Sequence, residues 1–471
     1  MRVKLYALYL GPSGFGVISQ FITFITLITS TIHIGTPFSL SALLPSLYKN
    51  DDIPSKQKIY SYFVFFAKLF GSVTLFISVL VILFSDQISF LLVDSKTDSL
   101  FLKIIALSIP FIVIYSIFEA FLRSSGQINK IVKIAIFSNL ISLPCLIVLI
   151  NFFLVDGIGI YLLVLGILPF IFMLVLYKRI FTSEYRKKSD RLKTEEIKNI
   201  FKTGITSLLA FLFYQLVILY LRKFIISNFG NDENGIYQSV LGLSLNIFAF
   251  IYSFLGNHTL QQLSMDKETS KIGSILDNTS KFLIFMIVPI IVLFFGFREL
   301  IIILFYSKSF VSGGGLMVYQ FLGDGFRVFA SLFSLWLFSN MRIKQLIIID
   351  LIFNITLLSL PNVLLLFFPG QLKIVPISYL LASALQFLLF FLYTKSALKF
   401  KFLKKTRITI LFSVFIVLSS LFVSIKLPAV GPFYAIITLL IWVIVSYRFI
   451  ENMPFSDLIT KLKIKIAEFK K

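Results

Sequence analysis

The chain has 471 residues, of which 58% are hydrophobic and 14% are charged, and its mean hydropathy is +0.95. Soluble domains carry roughly 25% charged residues, so this composition excludes an ordinary soluble fold. The apolar runs reach the ~20 residues that a spanning helix needs and lack the alternation typical of a membrane barrel. The single cysteine, Cys145, excludes a disulfide framework, and two histidines leave little for zinc. We expect an all-α polytopic membrane protein without metal or cofactor.

Hydropathy predicts about thirteen transmembrane helices, joined mostly by short loops. The connections 178–203 and 395–407 are strongly basic, as is the tail after Arg448. The predicted spans are residues 17–42, 60–84, 99–122, 131–153, 157–177, 204–227, 235–260, 279–297, 314–340, 343–367, 374–394, 408–425 and 430–450.

The basic residues behind the formal net charge of +22 are spread unevenly among the loops. Alternate connections, beginning with 48–59 and including the C-terminal tail, hold most of the loop Lys and Arg. The other set, beginning with 85–98, holds few of them and carries acids instead. By the positive-inside rule, the basic loops and the C-terminus are predicted to be cytoplasmic. The orientation of the loops and their contact with anionic lipids then account for the net positive charge, and no nucleic-acid partner is needed to explain it.

The chain repeats itself. Residues 10–20 and 229–239 are both glycine-bounded turns that open a helix, and 116–139 resembles 331–354, including an aligned asparagine. Both copies have the same predicted orientation, which indicates a parallel repeat: two bundles facing a central cavity that alternates its access. The alternative is chance similarity among apolar runs. The predicted parts are an N-terminal lobe (1–181), a basic linker (182–203), a C-terminal lobe (204–394), two extra helices (395–450) and a basic tail (451–471).

Three segments carry a family resemblance. The turn at 10–20 resembles the one after the first helix of polysaccharide-transport flippases, which share the MOP superfamily with the multidrug (MATE-type) exporters. Residues 222–238 resemble the start of that family's second lobe, and 319–327 resembles the GD-x-x-(R/K) element of Wzx-type O-antigen flippases. The family places a whole helix before the first turn, whereas ten residues precede it here. We therefore expect the reading frame to begin about a helix length upstream.

The resemblance implies transport of an undecaprenyl-diphosphate-linked oligosaccharide, such as an O-antigen unit, across a bacterial inner membrane. It also implies membrane lipids, a polysaccharide polymerase and a chain-length regulator as partners. A cation-coupled multidrug antiporter is the alternative within the same fold, although its cavity would be expected to hold mainly acids. A membrane polymerase or glycosyltransferase is a further alternative, but the short external loops lack a catalytic acidic motif.

Charged residues inside spans are costly and usually functional. Arg327 lies at the centre of its predicted span, with Asp324 one turn before it. The pair is interpreted as a cavity cation for pyrophosphate beside a coupling-ion site, or alternatively as a self-neutralised pair that fixes helix packing. Arg222 and Lys68 are the other candidate substrate-binding cations, with snorkelling to the interface as the alternative.

Three further residues are candidate coupling-ion sites: Glu119, Asp350 and His33. Glu119 could instead pair with Arg123, and His33 could be an ordinary core histidine. Gly35 and Pro37 predict a bend in the first span, and Gly256 falls near the matching place in the second lobe. These three residues are predicted hinges.

Overall fold

The computed structural model describes residues 2–50, 52–96, 98–182, 192–265 and 268–447. This part of the chain is almost entirely helical and contains no strand, which confirms the all-α prediction. Within it, 12 helices are long and apolar enough to cross a membrane, and Gly431–Val445 is a shorter apolar helix. The predicted tail at 451–471 lies outside the described residues, as does the part 183–191 of the predicted basic linker 182–203.

The chain divides into two compact units, Met1–Gly235 and Ile236–Lys471, called unit 1 and unit 2 below. The helices of unit 1 are α1 (Arg2–Ile32), α2 (Thr36–Asn50), α3 (Ile53–Leu83), α4 (Ser85–Val93), α5 (Ser99–Ala106), α6 (Ile109–Ser124), α7 (Ile128–Phe153), α8 (Asp156–Ile180) and α9 (Thr194–Phe229).

The predicted first span, 17–42, is corrected by the structure. The helix begins at Arg2 and ends at Ile32, and a separate helix, α2, follows. Gly11 interrupts α1 with a left-handed φ of 63°, directly before Pro12. Because proline lacks an N–H and is tolerated at the first position of a helix, the chain bends here and continues as a helix. The hydropathy pattern therefore missed the segment before the glycine turn.

In unit 1, α6 packs against α2, α3 and the hairpin α7–α8, while α9 packs along α1 and α2. The hairpin folds back sharply, since a Cβ on Gly157 would lie 2.1 Å from the Leu149 carbonyl oxygen. Phe63 contributes to the core by packing edge-on against Phe118 and Phe121. The repeat assigns α9 to the second lobe, but its packing places it in unit 1.

The two repeated glycine turns cross each other within unit 1. A Cβ on Gly235 would lie 1.8 Å from the Pro12 carbonyl oxygen, and one on Gly16 would lie 2.6 Å from the Asn231 carbonyl oxygen. The Asn234 side chain also donates to the Gly16 carbonyl oxygen at 3.1 Å. The contact is reciprocal, because each turn presents a glycine to the backbone of the other.

The elements of unit 2 are α10 (Asn231–Phe254, which starts in unit 1), a π-helical segment (Leu255–Thr259), α11 (Leu260–Met265), α12 (Thr269–Gly296), α13 (Arg298–Phe305), a 3-10 turn (Lys308–Gly313), α14 (Gly314–Ser339), α15 (Ile343–Phe367), α16 (Ile374–Leu398), α17 (Lys404–Lys426) and α18 (Gly431–Tyr447). Unit 2 is built around α14, which packs most extensively against α16 and also against α12 and α15. The helices α17 and α18 pack on α12, where Ile284, Ile416 and Trp442 form a buried apolar cluster.

Candidate functional site

A buried carboxylate, Asp324, lies near the middle of α14 with only 4% of its surface exposed. Its two oxygens accept hydrogen bonds from Ser244 Oγ at 2.5 Å and from Tyr379 Oη at 2.7 Å. These donors come from α10 and α16, so three helices of unit 2 meet at one side chain. Hydrogen bonds to an ionised acceptor are stronger than neutral ones, which offsets part of the cost of burying the group.

Arg327 lies one turn after Asp324 and is half-buried. Its guanidinium carbon is 4.6 Å from the ring centroid of Phe353 and 5.9 Å from that of Tyr379, within cation–π range. The charge of Arg327 acts electrostatically on both Asp324 and Asp350. The structure thus brings together the predicted Arg327, Asp324 and Asp350, each on a membrane-spanning helix.

Asp350 on α15 is half-buried and accepts a hydrogen bond from Gln386 Nε2 at 2.9 Å. Gln386 is on α16, the same helix that supplies Tyr379. The two carboxylates are therefore both tied to α16, from two neighbouring helices. This cluster (Ser244, Asp324, Arg327, Asp350, Phe353, Tyr379 and Gln386) is called the α14 cluster below.

Arg222 is the principal buried cation of unit 1, with 6% of its surface exposed. Its Nη1 donates to the Ser19 carbonyl oxygen and to Thr23 Oγ1, so the guanidinium joins α9 to α1. The neighbouring Lys223 points elsewhere and forms an ion pair with Asp94 at 2.6 Å. This divergence is expected for adjacent residues on a helix, which are about 100° apart.

The other predicted site residues of unit 1 lie apart from Arg222. The Lys68 side chain is exposed on α3. Glu119 forms the i,i+4 ion pair with Arg123 at 2.6 Å that the spacing predicts. Lys68, Glu119 and Arg222 therefore have separate environments in this structure and do not form one cluster.

The chain turns at Gly35, next to Pro37. The helix ends at Ile32, residues 33–35 form a turn and α2 begins at Thr36, with Pro37 in its first turn. Gly35 has a φ of 63°, and a Cβ there would lie 2.3 Å from the Gly204 carbonyl oxygen on α9. His33 is the first residue of this turn and is half-buried.

Gly256 falls in the π-helical segment of unit 2. A Cβ at this position would meet no atom within 4 Å. Single π-helical turns inside α-helices are frequent at functional sites, because the extra residue breaks the regular ladder. The helix is therefore irregular at Gly256, in a different geometry from the turn at Gly35.

The sequence interpretation missed a third charged group, Asp277 with Lys281. Asp277 is 1% exposed and pairs with Lys281 Nζ at 2.8 Å. Its oxygens also accept from the Leu403 backbone N–H and from Thr406 Oγ1, at 3.0 and 2.7 Å. The carboxylate thus caps the start of α17 from outside it. The i,i+4 spacing of Asp277 and Lys281 at the start of a span was the available signal.

Unit 1 has a looser counterpart at the start of α9. Glu196 accepts from Lys58 Nζ and Tyr62 Oη, both at 2.7 Å, and so ties α9 to α3. Burial raises the pKa of Glu196, but the hydrogen bonds from Lys58 and Tyr62 outweigh it and hold the pKa below the usual value. About a quarter to a third of the side-chain surface of Lys58 and Glu196 remains exposed.

Chemically, the α14 cluster offers an aromatic-flanked cation, two carboxylates and amide and hydroxyl donors. Such a set suits anion binding or proton and cation exchange. No group of three or more His, Cys, Asp or Glu side chains among the described residues could hold a metal ion.

Comparisons with known proteins agree with this architecture. The family model described as a polysaccharide biosynthesis protein matches residues 7–312. An inward-facing multidrug resistance MATE family transporter of the MOP superfamily is similar in structure, with a TM-score of 0.71 at 14% identity, over 84% of this chain and 94% of that one. The lipid II flippase MurJ, in an inward closed conformation, has a TM-score of 0.71 at 17% identity, over 95% of this chain and 96% of that one.

A MATE structure in the bent conformation has a TM-score of 0.59 at 14% identity, over 84% of this chain and 91% of that one. No curated protein matches the chain in sequence. At these identities the likeness to the solved structures establishes a shared fold.

Proposed function

This chain belongs to the polysaccharide biosynthesis protein family, and we propose that it is a flippase for undecaprenyl-diphosphate-linked oligosaccharide, such as an O-antigen unit. The proposed movement is from the cytoplasmic to the periplasmic face of a bacterial inner membrane, by alternating access. Its support is the family itself and a fold shared with the lipid II flippase MurJ.

The observation that carries the proposal is Arg327, a cation on a membrane-spanning helix with aromatic rings over its guanidinium. A charge at the centre of a span costs about 2.5 to 3.5 kcal/mol on insertion scales, so its retention needs a compensating role. The planar guanidinium binds phosphate oxygens bidentately, which suits a diphosphate. The flanking Phe353 and Tyr379 rings are buried and help to hold the guanidinium in place by cation–π contact.

Lys68 and Arg222 are also proposed to neutralise the negative charge of the diphosphate. Lys68 has an exposed side chain, which makes it available to a head group. Arg222 is hydrogen-bonded to α1 in this structure, so its contact with substrate would require α9 and α1 to separate. Its immediate effect is to hold these two helices together.

Asp324, Asp350, Glu119 and His33 are proposed coupling-ion sites. The α14 cluster is the strongest candidate, because a proton or cation on Asp324 would alter the charge balance around Arg327. Gly35, Pro37 and Gly256 are proposed hinges, since each lies where the helix departs from regular geometry. The proposed partners are membrane lipids, a polysaccharide polymerase and a chain-length regulator, with the C-terminus in the cytoplasm.

The test is a translocation assay in cells that make the lipid-linked oligosaccharide but lack their own flippase. The measured quantity is the fraction of that lipid accessible to a probe at the outer face. Arg327→Ala is expected to slow translocation at least about tenfold, which corresponds to losing about 1.4 kcal/mol of stabilisation. Arg327→Lys should retain part of the rate, because it keeps the charge but loses the planar fork.

Lys103→Ala is the matched control, because Lys103 is also a cation on a span but pairs with Asp86 at 3.6 Å near the helix end. It should translocate at the wild-type rate. Wild-type rates for both Arg327→Ala and Arg222→Ala would exclude a cationic substrate site.

A cation-coupled multidrug antiporter is the second candidate, favoured by the equal TM-score of the MATE transporter and by the buried Asp324. Efflux of cationic dyes that Asp324→Asn abolishes, with no effect on lipid-linked oligosaccharide, would select it.

A further inference from the structure

One end of unit 2 carries two adjoining cavities that the transport proposal does not use. The first, of about 380 Å³, is lined by Arg298, Lys373 and Tyr319, together with apolar residues and Gly315. The second, of about 640 Å³, shares Arg298 and runs along α13 to the turn between α17 and α18. Arg298 therefore stands at the junction of the two. We call them the head cavity and the tail cavity.

The head cavity is cationic. Arg298 begins α13 and Lys373 directly precedes α16, and no acidic side chain lines this cavity among the described residues. Neither cation forms a salt bridge with a described residue. Two cations brought together without a counter-charge repel each other and favour an anion between them. An anion that both can reach is therefore the expected occupant.

Arg298 is held in place by its surroundings. Its Nη1 donates to Ser424 Oγ at 2.5 Å, and Ser424 in turn donates to the Phe295 carbonyl oxygen at 3.1 Å. The side chain is half-buried, and its stem lies 3.4 to 3.5 Å from where a Cβ on Gly314 would be. This fixes one edge of the guanidinium and leaves its other donors for the cavity.

The tail cavity is lined mainly by apolar residues, in addition to Arg298, Glu299 and Ser424. Leu300, Ile303 and Pro432 line it, and the two aliphatic side chains are substantially exposed. The exposed acid Glu299 lies at its rim. A mainly apolar channel that begins at a cation is complementary to a hydrocarbon chain that carries an anionic head group. A small free anion would fill only the cationic end and leave the apolar channel unoccupied.

The predicted topology places both cations at one membrane surface. Residues 298–313 and 368–373 belong to the loops predicted to face the periplasm, which hold few Lys and Arg. A lipid head group at that surface would be within reach of Arg298 and Lys373.

We infer that the head cavity binds the phosphate head group of a membrane lipid, with its hydrocarbon chain along the tail cavity. Arg298 contacts the phosphate oxygens through its fork, and Lys373 adds a point charge from the start of α16. The lipid is either a bulk anionic phospholipid or a polyprenyl diphosphate. Binding requires no transport, so this inference can fail while the flippase proposal stands, and the reverse.

The test is native mass spectrometry of the purified full chain in detergent. The protein is incubated separately with phosphatidylglycerol, with undecaprenyl diphosphate and with diacylglycerol, which lacks phosphate. Wild-type protein should retain at least one of the two phosphate lipids in preference to diacylglycerol. The variant Arg298→Ala/Lys373→Ala should lose about tenfold in affinity for that lipid.

Lys373→Ala alone covers the case in which the double variant does not fold, because Lys373 is exposed and its loss leaves the packing intact. It should weaken the same lipid about threefold. The matched control is Lys308→Ala, an exposed cation of the same loop region that lines neither cavity, and it should bind as wild type. If the variants lose affinity for one phosphate lipid and not the other, that lipid is the natural occupant of the head cavity. Unchanged lipid affinity in Lys373→Ala, or an equal loss of affinity in Lys308→Ala, overturns the inference.

Discussion

Each unit buries a charge that hydrogen-bonds to neutral groups, and the two charges are opposite in sign. In unit 1, Arg222 donates to a carbonyl oxygen and a hydroxyl of α1, whereas in unit 2 Asp324 accepts from two hydroxyls on α10 and α16. The predicted hinges also differ between the two units, in the space around the glycine. Gly35 is pressed against Gly204, and Gly256 has open space around its Cβ position.

The two units thus meet the same structural need, a buried charge and a break in a helix, by different physics. Unit 1 fixes its bend and its charge by close backbone contact. Unit 2 uses side-chain hydrogen bonds around α14 and leaves its irregular segment uncrowded. The cluster suited to binding and releasing an ion is therefore in unit 2, while unit 1 holds the tightest helix crossings.

The largest expected effect separates the two buried charges. Asp324→Ala removes the acceptor of two buried hydroxyls and should destabilise the protein by about 3 to 5 kcal/mol. Arg222→Ala should cost less, about 2 kcal/mol, because Thr23 already donates to the Ser19 carbonyl oxygen at 2.9 Å. Thermal unfolding midpoints of both variants, measured in the same detergent, show which variant loses more stability.

Asp324→Asn serves as the control, since it removes the charge and keeps an oxygen for Ser244 and Tyr379. A greater loss of stability in Arg222→Ala than in Asp324→Ala would reverse the comparison.

An intermediate effect is expected at the two hinges. Gly35→Ala should destabilise by about 2 to 4 kcal/mol, because alanine is strained at a φ of 63° and its Cβ would overlap the Gly204 carbonyl oxygen. Gly256→Ala should change stability by no more than about 1 kcal/mol, since alanine also favours helix. Equal unfolding midpoints for the two variants would show that Gly35 can shift as freely as Gly256.

The smallest effect is expected at the ion pair that anchors α9. The lowered pKa of Glu196 means that its contribution is present above the ordinary glutamate pKa of about 4.3 and is lost as the pH falls through the lower folded value. Since the Lys58–Glu196 pair is partly exposed, this contribution should stay below about 1 kcal/mol.

Unfolding midpoints of wild type and Glu196→Gln, measured from pH 7 to pH 3, test this contribution. The wild-type advantage should shrink toward acid pH. An advantage that grows on acidification would contradict the sign of the pKa shift.

Much of the fold was predictable from local signals. Apolar runs of membrane length located most spans, and Gly35 with Pro37 marked the end of a helix by their own backbone preferences. The Glu119–Arg123 pair followed from i,i+4 spacing alone. The start of α1 was missed, because the turn at Gly11 and Pro12 resembles the end of an element in any local pattern.

By itself, the sequence determined that the chain is an all-α membrane protein, where most helices lie and which charged residues they carry, since these depend on composition and periodicity along the chain. Only the tertiary structure decided what those charges contact. Ser244 and Tyr379 are distant from Asp324 in sequence, as Ser19 is from Arg222, and no local pattern encodes such pairings. They arise because packing brings remote helices to within hydrogen-bond distance.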